Sequence, residues 1–145
     1  MASSSSTGSS NPLMGIQVTE KLTKNNYALW RAQVLTAIRG ARLEGYITGK
    51  VVTPEAEVDE KQGDKVVKVI NPAYEEWYAR DQQVLGLIFM SVSKDVLTRI
   101  ADATTAAEAW KSIGEMHASQ SRARSVNVRL ALATTKKESM SIMEY

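Results

Sequence analysis

The 145-residue sequence contains no cysteine and a single histidine. Without cysteine the chain has no disulfide, no catalytic thiolate and no cysteine-ligated zinc or iron–sulfur site. One histidine is too few to build the histidine clusters that hold catalytic metals. These absences exclude most thiol- and metal-dependent functions, and they fit a reducing compartment.

The sequence also lacks long hydrophobic runs. No apolar segment approaches the roughly 20 residues of a membrane span. The serine-rich N-terminus has neither the basic nor the hydrophobic region of a secretory signal. We therefore expect a cytoplasmic protein that has no membrane partner.

Motifs that carry catalysis are missing as well. The sequence has no GxGxxG or GxxxxGK[ST] phosphate loop and no GxSxG nucleophile elbow. We interpret the adjacent carboxylates Glu75 with Glu76, and Asp59 with Glu60, as solvated faces, because neighbouring side chains point in different directions. His117, at a predicted helix C-terminus, is interpreted as a dipole partner or surface residue. We expect no cofactor, no small-molecule substrate and no enzyme, since an unfamiliar enzyme would need a deep pocket with a perturbed carboxylate.

The apolar content suffices for one folded domain. Hydrophobic residues make up 43% of the chain, so a core can form without a disulfide or metal. The start, MASSSSTGSSNP, cannot bury enough surface to offset its ordering entropy. We predict a disordered tail over residues 1–15 and a helical domain over residues 16–145. A further helix opens near Ser139 or Ser141 just before the chain ends, so we expect truncation of a longer protein.

Helical periodicity dominates the rest. The stretch YALWRAQVLTAI places apolar side chains three or four residues apart and predicts a first helix over residues 27–39. All three tryptophans stand in line with aliphatic residues in this way, which favours core positions over stacking platforms for bases. The predicted core residues are Tyr27, Trp30, Val34, Ile38, Trp77, Leu85, Ile88, Trp110, Ile113 and Leu130.

Capping residues predict where later helices begin. Asn71 followed by Pro72 starts a helix that reaches about residue 90. Ser93 caps a short helix, and Thr105 with Glu108 forms a capping box for a helix over residues 106–117. Another helix begins near residue 121. The pattern is that of an all-α domain with about five helices.

Residues 49–72 interrupt the helical pattern with two valine pairs, two prolines and dense charge. We predict a surface loop, with a loose hairpin that pairs residues 51–52 with residues 66–67.

Charge is unevenly distributed. Residues 1–48 and residues 119–145 each hold five Lys/Arg and two Asp/Glu, a net charge of +3. Residues 73–118 hold four and seven, a net charge of −3. Regions of opposite sign let a chain meet copies of itself favourably, or bind a polyanion with one end.

The C-terminal region is the candidate polyanion site. It carries five basic residues with no acidic residue between them, which are Arg122, Arg124, Arg129, Lys136 and Lys137. Such a stripe can contact RNA phosphates, although without interleaved aromatics it is not expected to recognise bases. A solvated face is the alternative interpretation.

Three segments resemble one known family. KLTKNNYALWRAQVLTAIRG resembles the opening segment of the Gag polyproteins of copia-type retrotransposons in plants. AAEAWKSIGEMHASQSRAR resembles the next landmark, a helix followed by a serine–arginine segment. RLALATTKKESMSIMEY resembles the stretch that leads into the second helical half of the capsid region. The resemblance covers residues 16–145, and the order and spacing of the segments agree.

The resemblance implies a structural protein. The expected fold is a compact orthogonal bundle of about five helices, like the N-terminal domain of a retroviral capsid. Gag capsid domains associate into virus-like particles that enclose RNA, so the expected partner is the chain itself. The zinc knuckle that binds nucleic acid in the family is missing, since the chain has no cysteine. An RNA-binding module that uses the basic stripe, and a Gag remnant that does not assemble, are the alternatives.

Overall fold

The computed structural model describes residues 11–143, with side chains described up to residue 137. Residues 1–10 of the predicted disordered tail lie outside the described residues. Residues 11–15, also assigned to that tail, form a turn in which Leu13 packs into the core. The folded part therefore begins earlier than predicted, because this leucine finds an apolar partner surface.

The described residues form five helices and one two-stranded sheet. In chain order the elements are α1 (Tyr27–Gly40), α2 (Gly45–Thr48), β1 (Glu57–Gln62), β2 (Lys65–Ile70), α3 (Pro72–Met90), α4 (Lys94–Ile100) and α5 (Ala106–Met143). The prediction of a mostly helical fold is confirmed. The small two-stranded sheet is the hairpin of β1 and β2, in the region where a loose hairpin was predicted.

Two predicted helix caps are confirmed. Asn71 precedes α3, and its side chain accepts a hydrogen bond from the Ala73 backbone N–H at 3.1 Å. Ser93 precedes α4, and its hydroxyl accepts a hydrogen bond from the Val96 backbone N–H at 3.5 Å. These local bonds satisfy donors that the first turn of a helix leaves free, so they fix where the helices begin.

The predicted capping box at the start of α5 forms in a modified way. Thr105 Oγ1 accepts a hydrogen bond from the Glu108 backbone N–H at 3.2 Å, as a capping box requires. The Glu108 carboxylate, however, accepts from the backbone N–H and hydroxyl of Thr104, at 2.9 and 3.2 Å. These bonds lower the pKa of Glu108, because they stabilise its ionised form.

The hairpin occupies most of the region predicted as a loop. A two-residue turn at Gly63 and Asp64 joins antiparallel β1 and β2, and Gly63 adopts a φ of 62° that favours glycine. The short turn fixes the register, so residues 66–67 lie opposite residues 60–61. The predicted pairing of residues 66–67 with residues 51–52 is therefore wrong, because the turn pairs them with residues that lie closer in the sequence.

α5 is one continuous helix of 38 residues. The prediction of separate helices, broken before residue 121 and again near Ser139, is wrong. No glycine or proline follows Gly114, and the sequence is rich in alanine, leucine, arginine and lysine, which favour helix propagation. Serine caps a helix only where the backbone leaves helical geometry, and the backbone at Ser121 remains helical.

The first half of α5 closes the core by packing against α2, α3 and α4, while α1 contacts α3. Six of the predicted core side chains are buried: Trp30, Val34, Ile38, Leu85, Ile88 and Ile113. Three are half-buried: Tyr27, Trp77 and Trp110. Leu130 is 61% exposed, so its assignment to the core is wrong. It lies in the part of α5 where every side chain over residues 121–137 is exposed.

Candidate interaction surfaces

Trp30 lies at the centre of the core and has no exposed surface. Its indole N–H donates to Ser91 Oγ at 3.0 Å, and the Ser91 hydroxyl donates to the Ile88 carbonyl at 2.8 Å. The ring centroids of Trp110 and Tyr27 lie 5.4 and 6.1 Å from that of Trp30. These aromatics join α1 to α5 and to the end of α3, and a core role accounts for them.

His117 lies inside α5, not at a helix C-terminus, because the helix continues to Met143. Its ring stacks on that of Tyr27 with centroids 4.0 Å apart and planes 15° apart. The predicted role as a dipole partner is therefore wrong. The histidine is instead part of the packing between α1 and α5.

Asp81 is a buried carboxylate that joins α3 to the start of α5. One carboxylate oxygen accepts the Ala106 backbone N–H at 3.1 Å, and the other accepts the Gln82 side-chain amide at 3.2 Å. Burial raises the pKa of Asp81, although both hydrogen bonds oppose the rise. Our sequence reasoning missed this residue. Its position four residues after Trp77 and four before Leu85, within an apolar stripe, was the available signal.

Two of the carboxylates examined as acid/base candidates form surface ion pairs. Glu76 pairs with Arg80 at 2.7 Å, and Asp59 pairs with Lys68 at 2.8 Å. The hydrogen bond to Asp59 raises the pKa of Lys68. Across residues 11–143 no group of acidic or histidine side chains is placed to hold a metal ion. The helices of this same part of the chain are too short or too polar to cross a membrane.

A groove of about 460 Å³ opens between the hairpin and α3. Its lining combines apolar side chains with two carboxylates and consists of Ala56, Glu57, Ile70, Tyr74, Glu75 and Tyr78. Ile70 is 62% exposed and Tyr78 is 50% exposed. Trp77 is half-buried beside Tyr74, and the centroids of the two rings lie 5.8 Å apart. We call this site the hairpin groove.

The five basic residues all lie on the exposed part of α5 from residue 121 onward, which we call the distal half. Arg122, Arg129 and Lys136 follow one another at intervals of seven residues, which is close to two helical turns. They therefore align along one side of the helix, about 10 Å apart. Lys137 lies outside this line.

Arg124 points to a different side of α5. Its guanidinium donates to the Lys24 carbonyl at 3.0 Å and to the Asn25 side-chain oxygen. These bonds hold the loop before α1 against the helix. Arg124 is thus engaged within the fold, and the structure does not bring it together with the line of three basic residues.

The distal half also exposes apolar side chains, among them Leu130, which was predicted to lie in the core. Val126 is 54% exposed and Leu130 is 61% exposed. They stand four residues apart and so share one side of the helix. Val128 and Leu132, which are 57% and 65% exposed, form a second apolar pair on a different side.

Comparison with known proteins identifies the family. A family model for the gag polypeptide of LTR copia-type elements matches residues 34–145, and a second model for a copia-type Gag polypeptide matches residues 11–55. The chain belongs to the copia-type Gag family. This membership supports a Gag-like structural role, since Gag domains are structural rather than catalytic.

Two relatives come from Arabidopsis thaliana. The retrovirus-related Pol polyprotein from transposon RE1 is 28% identical over 125 residues, which cover 86% of this chain and 8% of that polyprotein. The corresponding polyprotein from transposon RE2 is 32% identical over 101 residues, which cover 70% of this chain and 7% of that polyprotein. The chain thus spans less than a tenth of either relative. No solved structure matches it.

Proposed function

We propose that this chain is a capsid-like Gag domain that acts by associating with copies of itself, toward virus-like particles. Membership of the copia-type Gag family supports this proposal. In this proposal, α1 to α4 and the first half of α5 correspond to a compact orthogonal bundle like the N-terminal domain of a retroviral capsid. The aromatic core stabilises each copy, and the outer helix faces make weak, repeated contacts.

The observation that carries the proposal is the apolar surface of the distal half of α5. Its four valine and leucine side chains at positions 126, 128, 130 and 132 are all more than half exposed. They form two pairs on different sides of the helix, and exposed apolar surface is typical of interaction sites.

Sedimentation of the purified full chain tests the proposal. Protein concentration should be varied up to about 1 mM. A contact with a Kd near 1 mM, which corresponds to about −4 kcal/mol, is substantially populated only at such concentrations. Dimers or larger species that grow with concentration, without RNA, are the expected result. A strict monomer under every condition would refute self-association and favour a Gag remnant that does not assemble.

The second candidate function is RNA binding by the distal half of α5. The alignment of Arg122, Arg129 and Lys136 favours it, because phosphates along one strand would meet successive cations. Binding to a single-stranded RNA should then weaken steeply with salt, and reversal of charge at these positions should reduce it. Undetectable or salt-independent binding would eliminate this candidate.

A further inference from the structure

We propose that the distal half of α5 in one copy docks into the hairpin groove of a second copy. This inference rests on the proposed self-association and assigns it to two specific surfaces. One surface is the side of α5 that carries Arg122, Val126, Arg129, Leu130 and Lys136. The other is the groove between the hairpin and α3.

The α5 surface combines apolar contact with positive charge. Val126 is four residues from Arg122, three from Arg129 and four from Leu130, so the four side chains are helical neighbours. Lys136 extends the line of cations beyond Arg129. None of Arg122, Arg129 and Lys136 forms an ion pair with another side chain in the described part of the chain.

The hairpin groove has the complementary character. Ile70, Tyr74 and Tyr78 supply an apolar and aromatic lining, and Glu57 and Glu75 add two carboxylates to it. The four ion pairs among the described side chains involve neither Glu57 nor Glu75. An amphipathic helix that lays its apolar side into such a groove would place its cations beside these two carboxylates.

The chain does not cover its own groove with its own helix. Ile70 and Tyr78 are exposed in the same molecule in which Val126 and Leu130 are exposed. α5 is an unbroken helix whose first half is held in the core, so its distal half cannot fold back independently. The distal half of α5 and the hairpin groove are therefore both open to a contact between copies.

The apolar side chains also favour a protein over RNA as occupant of this face. RNA phosphates would contact the cations but would leave Val126 and Leu130 in water. The hairpin groove can bury them, and its two carboxylates would repel a polyanion. Charge complementarity thus points to a second copy of the chain.

The contact joins two different surfaces, so it is heterologous. A bound pair then leaves one helix face and one groove free, so the contact can repeat into rings or open chains. A single helix in a groove buries less area than a standard interface, so each contact is expected to be weak.

Charge reversal in the full chain tests this arrangement. One variant carries Arg122→Glu with Arg129→Glu, and a second carries Glu57→Lys with Glu75→Lys. Each should weaken self-association by about tenfold to a hundredfold in sedimentation equilibrium, because attraction becomes repulsion at two positions. The combined four-residue variant restores the net charge and the complementarity, and it should recover affinity to within about threefold of wild type.

Matched controls separate this specific contact from a change in net charge. Arg31→Glu with Lys94→Glu makes the same change as the first variant on exposed cations of α1 and α4. Glu20→Lys with Asp102→Lys matches the second variant. Thermal unfolding should be nearly unchanged in every variant, since all the substituted side chains are exposed.

The outcomes distinguish this inference from the proposed function. If the wild type self-associates but the reversed variants behave like their controls, the docking contact is refuted while self-association stands. If the wild type is always monomeric, both are refuted. If reversal on α5 removes binding to a single-stranded RNA and leaves self-association intact, the face belongs to RNA and the inference fails. Recovery in the four-residue variant supports it.

Discussion

Replacement of Trp30 tests whether the core is built as described. The side chain is fully buried, and its ring lies against those of Trp110 and Tyr27. Trp30→Ala would remove these contacts and leave a cavity, so it should cost about 3–5 kcal/mol of unfolding free energy. Trp110→Ala should cost less, because Trp110 is only half-buried.

The hydrogen bond between Trp30 and Ser91 can be measured separately by a double-mutant cycle. Ser91→Ala leaves a buried indole N–H without its acceptor, at a cost of about 1–3 kcal/mol. Trp30→Phe removes the donor and keeps an aromatic ring, while the Ser91 hydroxyl still donates to the Ile88 carbonyl. The double variant should therefore be more stable than the sum of the two single effects predicts, by about 1 kcal/mol.

Urea denaturation followed by far-UV circular dichroism is the assay, because fluorescence changes when a tryptophan is replaced. Leu29→Ala, on the exposed side of α1, is the control and should change stability by less than about 0.5 kcal/mol. A cost below about 1 kcal/mol for Trp30→Ala would refute the central role of this residue. Additive effects in the cycle would show that the hydrogen bond contributes nothing net.

Three further predictions follow from the same structure. Burial raises the pKa of Asp81, so the stability that its protonated form contributes at low pH is lost as pH rises through this raised pKa. Asp81→Asn keeps an acceptor for the Ala106 backbone N–H, so the stability of this variant relative to wild type should increase as pH rises above the ordinary range of a carboxyl group in urea titrations. Arg124→Ala should speed hydrogen exchange of α5 amides near position 124, and unchanged exchange would mean that its bonds to the loop before α1 contribute no local stability. Leu130→Ser should change unfolding free energy by less than about 0.5 kcal/mol yet reduce self-association in sedimentation, whereas a large loss of stability would place Leu130 in the core after all.

The beginnings of helices were predictable because their determinants are local. The start of α3 was predicted from Asn71 with Pro72, and the start of α4 from Ser93. Both predictions lie within one residue of the observed helix starts. A cap depends on a side chain and the two or three backbone groups that follow it, and all of these are adjacent in sequence. The same reasoning failed at Ser121, since a serine inside a helix has the same sequence appearance as a serine before one.

The hairpin was predictable in part. β-branched residues in β2 indicated a strand, whereas β1 reads EVDEKQ and is dominated by charge. The turn at Gly63 and Asp64 was a better guide to the strand pairing. Once a two-residue turn is placed, the residues at equal distances before and after it are the ones that pair. The hairpin groove depends on how this hairpin lies against α3, and no local sequence pattern reports that contact.

The treatment of α5 shows what helical periodicity does and does not establish. The spacing of Val34 and Ile38 in α1 is the same as that of Val126 and Leu130 in α5, yet the first pair is buried and the second is exposed. Periodicity reports that a helix carries an apolar stripe, whereas burial requires another element to cover it. Within the described part of the chain, α1 has such elements and the distal half of α5 does not. An apolar stripe that no described element covers, beside cations that form no ion pair with a described side chain, is the physical reason for the proposed contact with a second copy.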